Sequence, residues 1–272
     1  MQLHIEKDPF LKYRPFAGQT DNLLLQHWHE LAATVVFYSV LMLVAPKVNK
    51  RIFGDYYSKM QNKKRRLDFD IHIVAMIQSL LAIGLCVPMF AHPLFNTDPI
   101  FGTYDFAGFA ASLTCGYFVW DLVYCCIFHY DIYGFQYLFH GFGALIVFTS
   151  TFAGYCQPLI PAFLIYELST PFVNLHWFYT RGPKGLVNEK TFLLNGLLLM
   201  TTFFLSRCVW GIYVSIKIFR LCMQYKDRMP VLFIPVIFTL NIGFHILNLY
   251  WFSKMVLLAT RRVGVDDRKK DY

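Results

Sequence analysis

Three polar side chains recur at helical spacing inside an apolar stretch long enough to cross a bilayer. Glu167, Thr170 and Asn174 occupy positions i, i+3 and i+7 within the segment Tyr166–Tyr179, so a helix would present them as one stripe. An ionisable group at membrane depth costs about 2.5–3.5 kcal/mol on insertion scales, and such groups therefore face a partner or a polar interior. Because Pro171 also interrupts the helical hydrogen bonds here, we expect this segment to line a functional cavity.

A second polar stripe lies near the C-terminal end of the chain. Asn241, His245 and Asn248 occupy positions i, i+4 and i+7 of another apolar segment. Arg207 is placed in a third segment, where its depth puts it within reach of Glu167. Glu167 and Arg207 have two interpretations, a buried structural ion pair or part of a functional site. Asn241 and Asn248 can either bridge helices or line a lipid cavity.

His140 and Asp121 are the side chains best suited to catalysis. Both are expected in the cytosolic half of neighbouring spans, and an Asp that orients a His is the usual arrangement of a general base. The sequence contains no glycine-rich phosphate loop or nucleophile elbow. We predict no metal site, because no HxxxH or HxxE pair is expected on one helix face.

The elements that must position these residues are membrane helices. Of the 272 residues, 56% are hydrophobic and 15% charged, whereas soluble domains carry roughly 25% charged residues. The net charge of +8 lies in clusters between apolar segments, which suits cytosolic loops better than a nucleic-acid surface. The predicted fold class is therefore an all-α polytopic membrane protein. Seven spans are predicted, at about 25–45, 71–91, 106–128, 135–155, 158–179, 191–216 and 231–257.

The distribution of Lys and Arg predicts the orientation. The segment 46–70, which follows Pro46 as the predicted end of the first span, is the most basic loop and is placed in the cytosol. Seven spans then put the N-terminus in the lumen and the C-terminus in the cytosol. Lys269 and Lys270, the fourth and third residues from the C-terminus, resemble a dilysine signal for the endoplasmic reticulum. A polybasic tail near anionic lipid is the alternative.

Several motifs recur along the predicted spans: Gly116-Tyr117-Phe118-Val119-Trp120-Asp121, Phe139-His140-Gly141, the string from Tyr166 to Asn174 with Trp177-Phe178, Arg207, and Asn248 with Trp251. Together they resemble the TLC-domain family of membrane proteins, which includes the ceramide synthases. The similarity covers about residues 68–258 and looks closest to the small transmembrane branch of the family.

The resemblance implies a barrel of six helices, spans two to seven, around a lipid cavity, with the first helix as an accessory. In ceramide synthases a His-His pair acts in acyl transfer from acyl-CoA. His140 matches the first of these histidines, but Gly141 stands in place of the second, and the family's acidic pair is absent where the chain continues into Leu175-His176-Trp177. A ceramide synthase is therefore not the expected assignment.

Two functions follow as hypotheses. The first is a membrane protein of the endoplasmic reticulum that binds or senses a lipid or acyl chain and contributes to lipid homeostasis. The alternative is an acyl-CoA-dependent acyltransferase with His140 as general base, for which acyl-CoA would be a substrate and no resident cofactor is expected. A scaffold or cargo-binding protein would need partner surfaces that these short loops do not offer. The predicted domains are an N-terminal segment over 1–66, a TLC domain over 67–260 and a basic tail over 261–272.

Overall fold

The residues that the structure describes are mostly helical and contain no β-strand. A computed structural model describes residues 4–16 and 19–270, without the side chains of Cys126 and of residues 261–270. Helices α1 to α10 span Leu23–Ser58, Lys63–Phe90, Leu94–Thr97, Asp105–Asp121, Tyr130–Ser150, Ile160–Leu164, Thr170–Arg181, Glu189–Phe203, Trp210–Gln224 and Phe233–Lys270. Asn22, Asn62 and Asn188 cap α1, α2 and α8, because each side chain accepts a hydrogen bond from a backbone N–H of the first turn.

Six helical stretches of the described residues are long and apolar enough to cross a membrane, although Gly54 and Gly134 kink two of them. They are Leu23–Ser58, Lys63–Phe90, Asp105–Cys125, Tyr130–Ala153, Glu189–Gln224 and Phe233–Thr260. Two of them continue through π-helical turns, Leu122–Ile127 after α4 and Phe204–Val209 between α8 and α9. The all-α polytopic fold is therefore confirmed, whereas the predicted count of seven spans is not.

The segment predicted as the fifth span is helical but not continuous. It consists of α6, a 3₁₀ turn over Ile165–Ser169, and α7. Pro161 and Pro171 each lie at the start of an α-helical piece, where the missing N–H costs no hydrogen bond. The prolines thus divide the segment into pieces that are individually too short to count as a span.

The first helix continues well past Pro46, so the prediction that it ends there is wrong. The extension is held by Asp70 of α2, whose Oδ1 accepts hydrogen bonds from Asn49 Nδ2 at 2.8 Å and from the Tyr57 hydroxyl at 2.7 Å. All three side chains are buried. The predicted basic loop over 46–70 is correspondingly mostly helix, with only residues 59–62 between α1 and α2.

The chain forms two compact units, Met1–Leu186 and Val187–Tyr272. In the first unit α1 packs most extensively against α4. This contact is close at Gly116, where a Cβ atom would stand 2.6 Å from Thr34 Cβ and 2.7 Å from the Leu31 carbonyl oxygen. In the second unit the π-helical turn Phe204–Val209 packs against α8, α9 and α10. The domain boundaries and the six-helix barrel stay predictions.

Candidate functional site

The predicted stripe of the first unit is distributed over two elements. Glu167 lies in the 3₁₀ turn Ile165–Ser169, Thr170 begins α7, and Asn174 lies one turn further along. Asn174 is 3% exposed, and its Nδ2 is buried without a hydrogen-bond partner. A buried amide that the protein leaves unpaired is a position at which a ligand oxygen would be stabilised.

The stripe of the second unit is directed partly toward its own helices. Asn241 and Asn248 of α10 are buried, and His245 Nε2 lies 2.8 Å from Ser215 Oγ of α9. The hydrogen bond between α9 and α10 favours the interpretation of His245 as an interhelical contact. That Asn241, His245 and Asn248 line a lipid cavity stays a prediction.

Arg207 is buried in the π-helical turn Phe204–Val209, and its guanidinium lies 5.2 Å from the ring centroid of Phe203. Such single-turn π segments occur frequently at functional sites. Glu167 belongs to the first unit and Arg207 to the second, and their ion pair stays a prediction.

The two residues proposed for catalysis lie on helices that pack against each other. Asp121 is the last residue of α4, immediately before the π-helical turn Leu122–Ile127, and His140 lies within α5. The His140 ring packs edge-on against Phe118, with 5.9 Å between centroids. The helices are thus neighbours as predicted, while a hydrogen bond between Asp121 and His140 stays a prediction.

A partly open cavity of about 360 Å³ lies in the first unit, among the N-terminal segment, α1, α2 and α4. Its wall is mainly apolar and is contributed by Phe10, Ala33, Phe37, Tyr38, Leu81, Phe109 and Leu113. His29, Glu30 and Thr34 provide the polar part of the lining. Glu30 Oε1 and both ring nitrogens of His29 are buried without a hydrogen-bond partner. The cavity therefore combines apolar walls with unpaired polar groups at one position.

A buried polar cluster adjoins this cavity and shares Glu30 with it. His27 Nδ1 lies 2.8 Å from Glu30 Oε2 and 3.8 Å from Asp8 Oδ2. Arg14 Nη2 lies 3.4 Å from Asp8 Oδ2, 3.4 Å from His27 Nε2 and 3.0 Å from Asp105 Oδ1 of α4. The cluster fastens the irregular N-terminal segment to the first turns of α1 and α4.

Further contacts hold the same segment in place. Glu6 Oε2 lies 2.7 Å from His92 Nε2, and the Glu6 carbonyl accepts a hydrogen bond from Phe106 N at 3.1 Å. The His92 ring stacks on Tyr104 with 3.8 Å between centroids. Burial, and secondarily the Glu6 carboxylate, raise the pKa of Tyr104, so this hydroxyl stays neutral in the packed segment.

Sequence reasoning missed this cluster, although it contained a signal. His27 and Glu30 are an HxxE pair at i, i+3, and both lie on one face of α1 within hydrogen-bond distance. The statement that no such pair shares a helix face is therefore wrong. Asp8 lies 19 residues before His27 in a segment without helical periodicity, so only the folded chain shows that it joins them.

A second cavity, of about 400 Å³, lies where α2 begins and α7 ends. Its lining contains three cationic side chains, one carboxylate, an amide and an indole: Lys64, Arg65, Arg181, Asp68, Asn62 and Trp177. Arg65 Nη2 donates hydrogen bonds to the Tyr56 hydroxyl at 2.5 Å and to the Arg181 carbonyl at 2.6 Å. The net positive lining suits an anionic group.

Comparison with known proteins finds relatives along most of the chain. Residues 68–257 match the model of the TLC domain. Topoisomerase I damage affected protein 4 of Saccharomyces cerevisiae is 35% identical over 93% of this chain and 91% of its own length. A TLC domain-containing protein of Schizosaccharomyces pombe is 30% identical over 88% of this chain and 81% of its own.

More distant relatives carry the same domain. TLC domain-containing protein 4 C of Dictyostelium discoideum is 25% identical over 79% of this chain and 82% of its own. No solved structure matches the chain significantly. These relatives are TLC domain-containing proteins rather than ceramide synthases, as the missing second histidine at Gly141 predicted. The chain therefore belongs to the TLC-domain family of multi-pass membrane proteins.

Proposed function

We propose that this membrane protein binds a lipid or acyl chain and thereby contributes to membrane lipid homeostasis. The observation that carries the proposal is the cavity of about 360 Å³ among the N-terminal segment, α1, α2 and α4. Its volume lies in the range of about 300–1,000 Å³ that is usual for small-molecule sites. Apolar walls favour a hydrocarbon chain, because such a chain makes van der Waals contacts with them and carries no polar group that would lose its hydrogen bonds there.

The polar part of the cavity suits a lipid that carries a hydroxyl or an amine. Glu30 Oε1 can accept a hydrogen bond, and the two nitrogens of His29 provide one donor and one acceptor when the ring is neutral. A hydrocarbon alone would leave these atoms unpaired, which costs about 1–3 kcal/mol for each buried group. The arrangement therefore favours an amphipathic lipid over a pure hydrocarbon.

Lipid retention by two matched variants tests the proposal. Ala33 lines the cavity, whereas Val36, one turn along α1, does not. Both are exposed positions, so Ala33→Phe and Val36→Phe introduce the same side chain at the surface and differ in whether that side chain fills the cavity. The protein is purified in detergent and washed extensively with lipid-free detergent, and the lipid that remains bound is quantified by mass spectrometry. We expect a stoichiometric lipid in wild type and Val36→Phe that Ala33→Phe loses; equal retention by both variants would contradict the proposal.

We further propose that the protein resides in the endoplasmic reticulum with a lumenal N-terminus and a cytosolic C-terminus. The support is the sequence alone, through the basic segment 46–70 and the C-terminal Lys269-Lys270. Those lysine side chains lie outside the described residues. Appending residues after Tyr272 should move a fluorescent fusion beyond the reticulum, because a dilysine signal is read at the C-terminal end. An unchanged distribution of the fusion protein would show that Lys269 and Lys270 do not act as a dilysine signal.

The acyltransferase remains a second candidate, and the basic cavity lined by Lys64, Arg65 and Arg181 is the observation that favours it. A CoA diphosphate is an anion of the kind that such a lining attracts. In this candidate His140 is the general base and Asp121 orients it. His140→Ala should then abolish transfer of a labelled acyl group while the protein stays folded, and His129→Ala serves as the matched control. Full acyl transfer by His140→Ala would eliminate this candidate.

A further inference from the structure

We propose that Asp8, His27 and Glu30 bind a divalent metal ion, with Zn²⁺ as the favoured cation. One carboxylate oxygen of each acidic residue and one ring nitrogen of the histidine all lie within 4.8 Å of one another. The three side chains are 0%, 3% and 1% exposed for Asp8, Glu30 and His27. Mixed nitrogen and oxygen ligands in a buried position are typical of zinc sites. This inference does not rest on the lipid proposal, although both use the buried Glu30 carboxyl group.

The distances between ligand atoms suit a tetrahedral ion. Ligands at about 2.0–2.1 Å from zinc stand roughly 3.3 Å from one another in a tetrahedral site. His27 Nδ1 lies 2.8 Å from Glu30 Oε2 and 3.8 Å from Asp8 Oδ2, so the two measured separations bracket that value. The Asp8 and Glu30 oxygens are at most 4.8 Å apart, so side-chain rotation could bring all three ligand atoms to coordinating positions.

The charges of the cluster also call for a cation. The Arg14 guanidinium contacts the carboxylates of Asp8 and Asp105, while the third carboxyl group of the cluster, that of Glu30, contacts the His27 ring. Asp8 and Glu30 are almost fully buried, and a buried carboxylate without a compensating charge is strongly unfavourable. A divalent ion at the three ligand atoms would compensate the charge of both buried carboxylates.

Unused ligand capacity provides an independent observation. Glu30 Oε1 is buried and accepts no hydrogen bond, although the side chain is only 3% exposed. Both ring nitrogens of the adjacent His29 are likewise unpaired, and His29 Nε2 lies 3.6 Å from Glu30 Oε1. Native structures rarely leave such groups unsatisfied. A metal ion and its bound water would supply the missing partners.

The arrangement defines the class of site. Three protein ligands leave a fourth position for water or another ligand, as in zinc sites that are open rather than purely structural. A metal bound to His27 Nδ1 leaves the ring proton on Nε2, and two donors, this N–H and the Arg14 guanidinium, would then face each other. The guanidinium must therefore move from Nε2 toward Asp105 Oδ1, which it already contacts at 3.0 Å. Since Glu30 also lines the apolar cavity, the open position is next to that space.

Metal content and affinity test the proposal directly. The full chain is purified in detergent with an affinity tag that contains no histidine, its metals are quantified by mass spectrometry, and Zn²⁺ affinity is measured by competition with a chromophoric chelator. We expect one Zn²⁺ per wild-type chain, and binding at least about 100-fold weaker in Glu30→Gln, because loss of a ligand costs more than loss of an outer partner. Glu6→Gln is the matched control, since Glu6 contacts His92 rather than the cluster.

Thermal unfolding with and without Zn²⁺ separates binding from folding defects. Zinc should raise the unfolding temperature of wild type and Glu6→Gln, and not that of Glu30→Gln. If Glu30→Gln does not fold, Asp8→Asn removes another ligand and decides the question in the same way. Absence of stoichiometric binding to folded wild type, or undiminished binding by the folded ligand variant, would overturn the proposal.

Discussion

The close contact between α1 and α4 at Gly116 gives a quantitative prediction for Gly116→Ala. The new Cβ would stand 2.6 Å from Thr34 Cβ and 2.7 Å from the Leu31 carbonyl oxygen. Carbon atoms in favourable contact are about 3.5 Å or more apart, so the helices must separate locally by roughly 0.9 Å. Neither neighbour can rotate away, because one is a backbone atom and the other is a Cβ atom fixed to the helix. Overpacking of this kind typically costs about 1–3 kcal/mol.

Gly84→Ala provides the matched control. Gly84 also lies within a helix, α2, but a Cβ there would meet nothing within 4 Å. Replacing a helical glycine by alanine stabilises a helix by up to about 1 kcal/mol. Both variants receive this gain, so the difference in their free energies of unfolding isolates the packing cost of about 1–3 kcal/mol.

Thermal unfolding compares the stabilities of the two variants, and both are measured in one detergent at one scan rate because the temperature of an irreversible transition depends on the scan rate. For a chain of this size each kcal/mol corresponds to roughly 2–4 °C. Gly116→Ala should therefore unfold at a lower temperature than wild type, and Gly84→Ala at an equal or higher one. If Gly116→Ala is as stable as Gly84→Ala, the contact between α1 and α4 is not as close as the structure places it.

Three other variants follow from the same structure. Asp70→Ala leaves Tyr57 and Asn49 buried without their hydrogen-bond acceptor, which costs about 1–3 kcal/mol for each donor. This variant should unfold at a lower temperature, and trypsin should cleave it faster after Lys47 and Lys50. The control Asp55→Ala breaks only an exposed pair with Lys59 and should change neither measurement. Asn174→Leu removes an amide nitrogen that has no hydrogen-bond partner, so the variant should unfold at the same temperature as wild type or a higher one. A clear loss of stability would show that the Asn174 amide makes a hydrogen bond. Gly108→Ala would place a Cβ 2.2 Å from His27 Nε2, which should destabilise the protein and weaken the proposed Zn²⁺ binding. An unchanged Zn²⁺ affinity would show that the His27 ring does not lie against Gly108.

Much of the architecture could be predicted from local pattern. The apolar runs specify an all-α membrane protein because only helices and closed barrels satisfy every backbone hydrogen bond inside a bilayer. The motifs at Gly116–Asp121 and Tyr166–Asn174 were sufficient for the family, which the match over residues 68–257 confirms. The structure adds a physical reason for Gly116, which lies where α1 and α4 are in close contact.

The incorrect predictions of helix ends lie where contacts between residues distant in sequence, or prolines, override the local helical pattern. Pro46 was predicted to end the first helix, but Asn49 and Tyr57 bond to Asp70 of α2, and these buried contacts hold the extension in place. Conversely, the predicted fifth span is divided into three pieces, because Pro161 and Pro171 each begin a new α-helical piece.

Helical periodicity determines which residues share a face, and it could therefore have paired His27 with Glu30 from the sequence alone. It carries no information about an irregular segment that folds back from outside the helix. Arg14 contacts Asp105 across 91 positions of sequence, and Asp8 reaches His27 by the same return of the chain. The sequence by itself determined the membrane helices and the family, while the tertiary structure alone decided that the N-terminal segment completes a buried charged cluster, because that cluster depends on long-range packing.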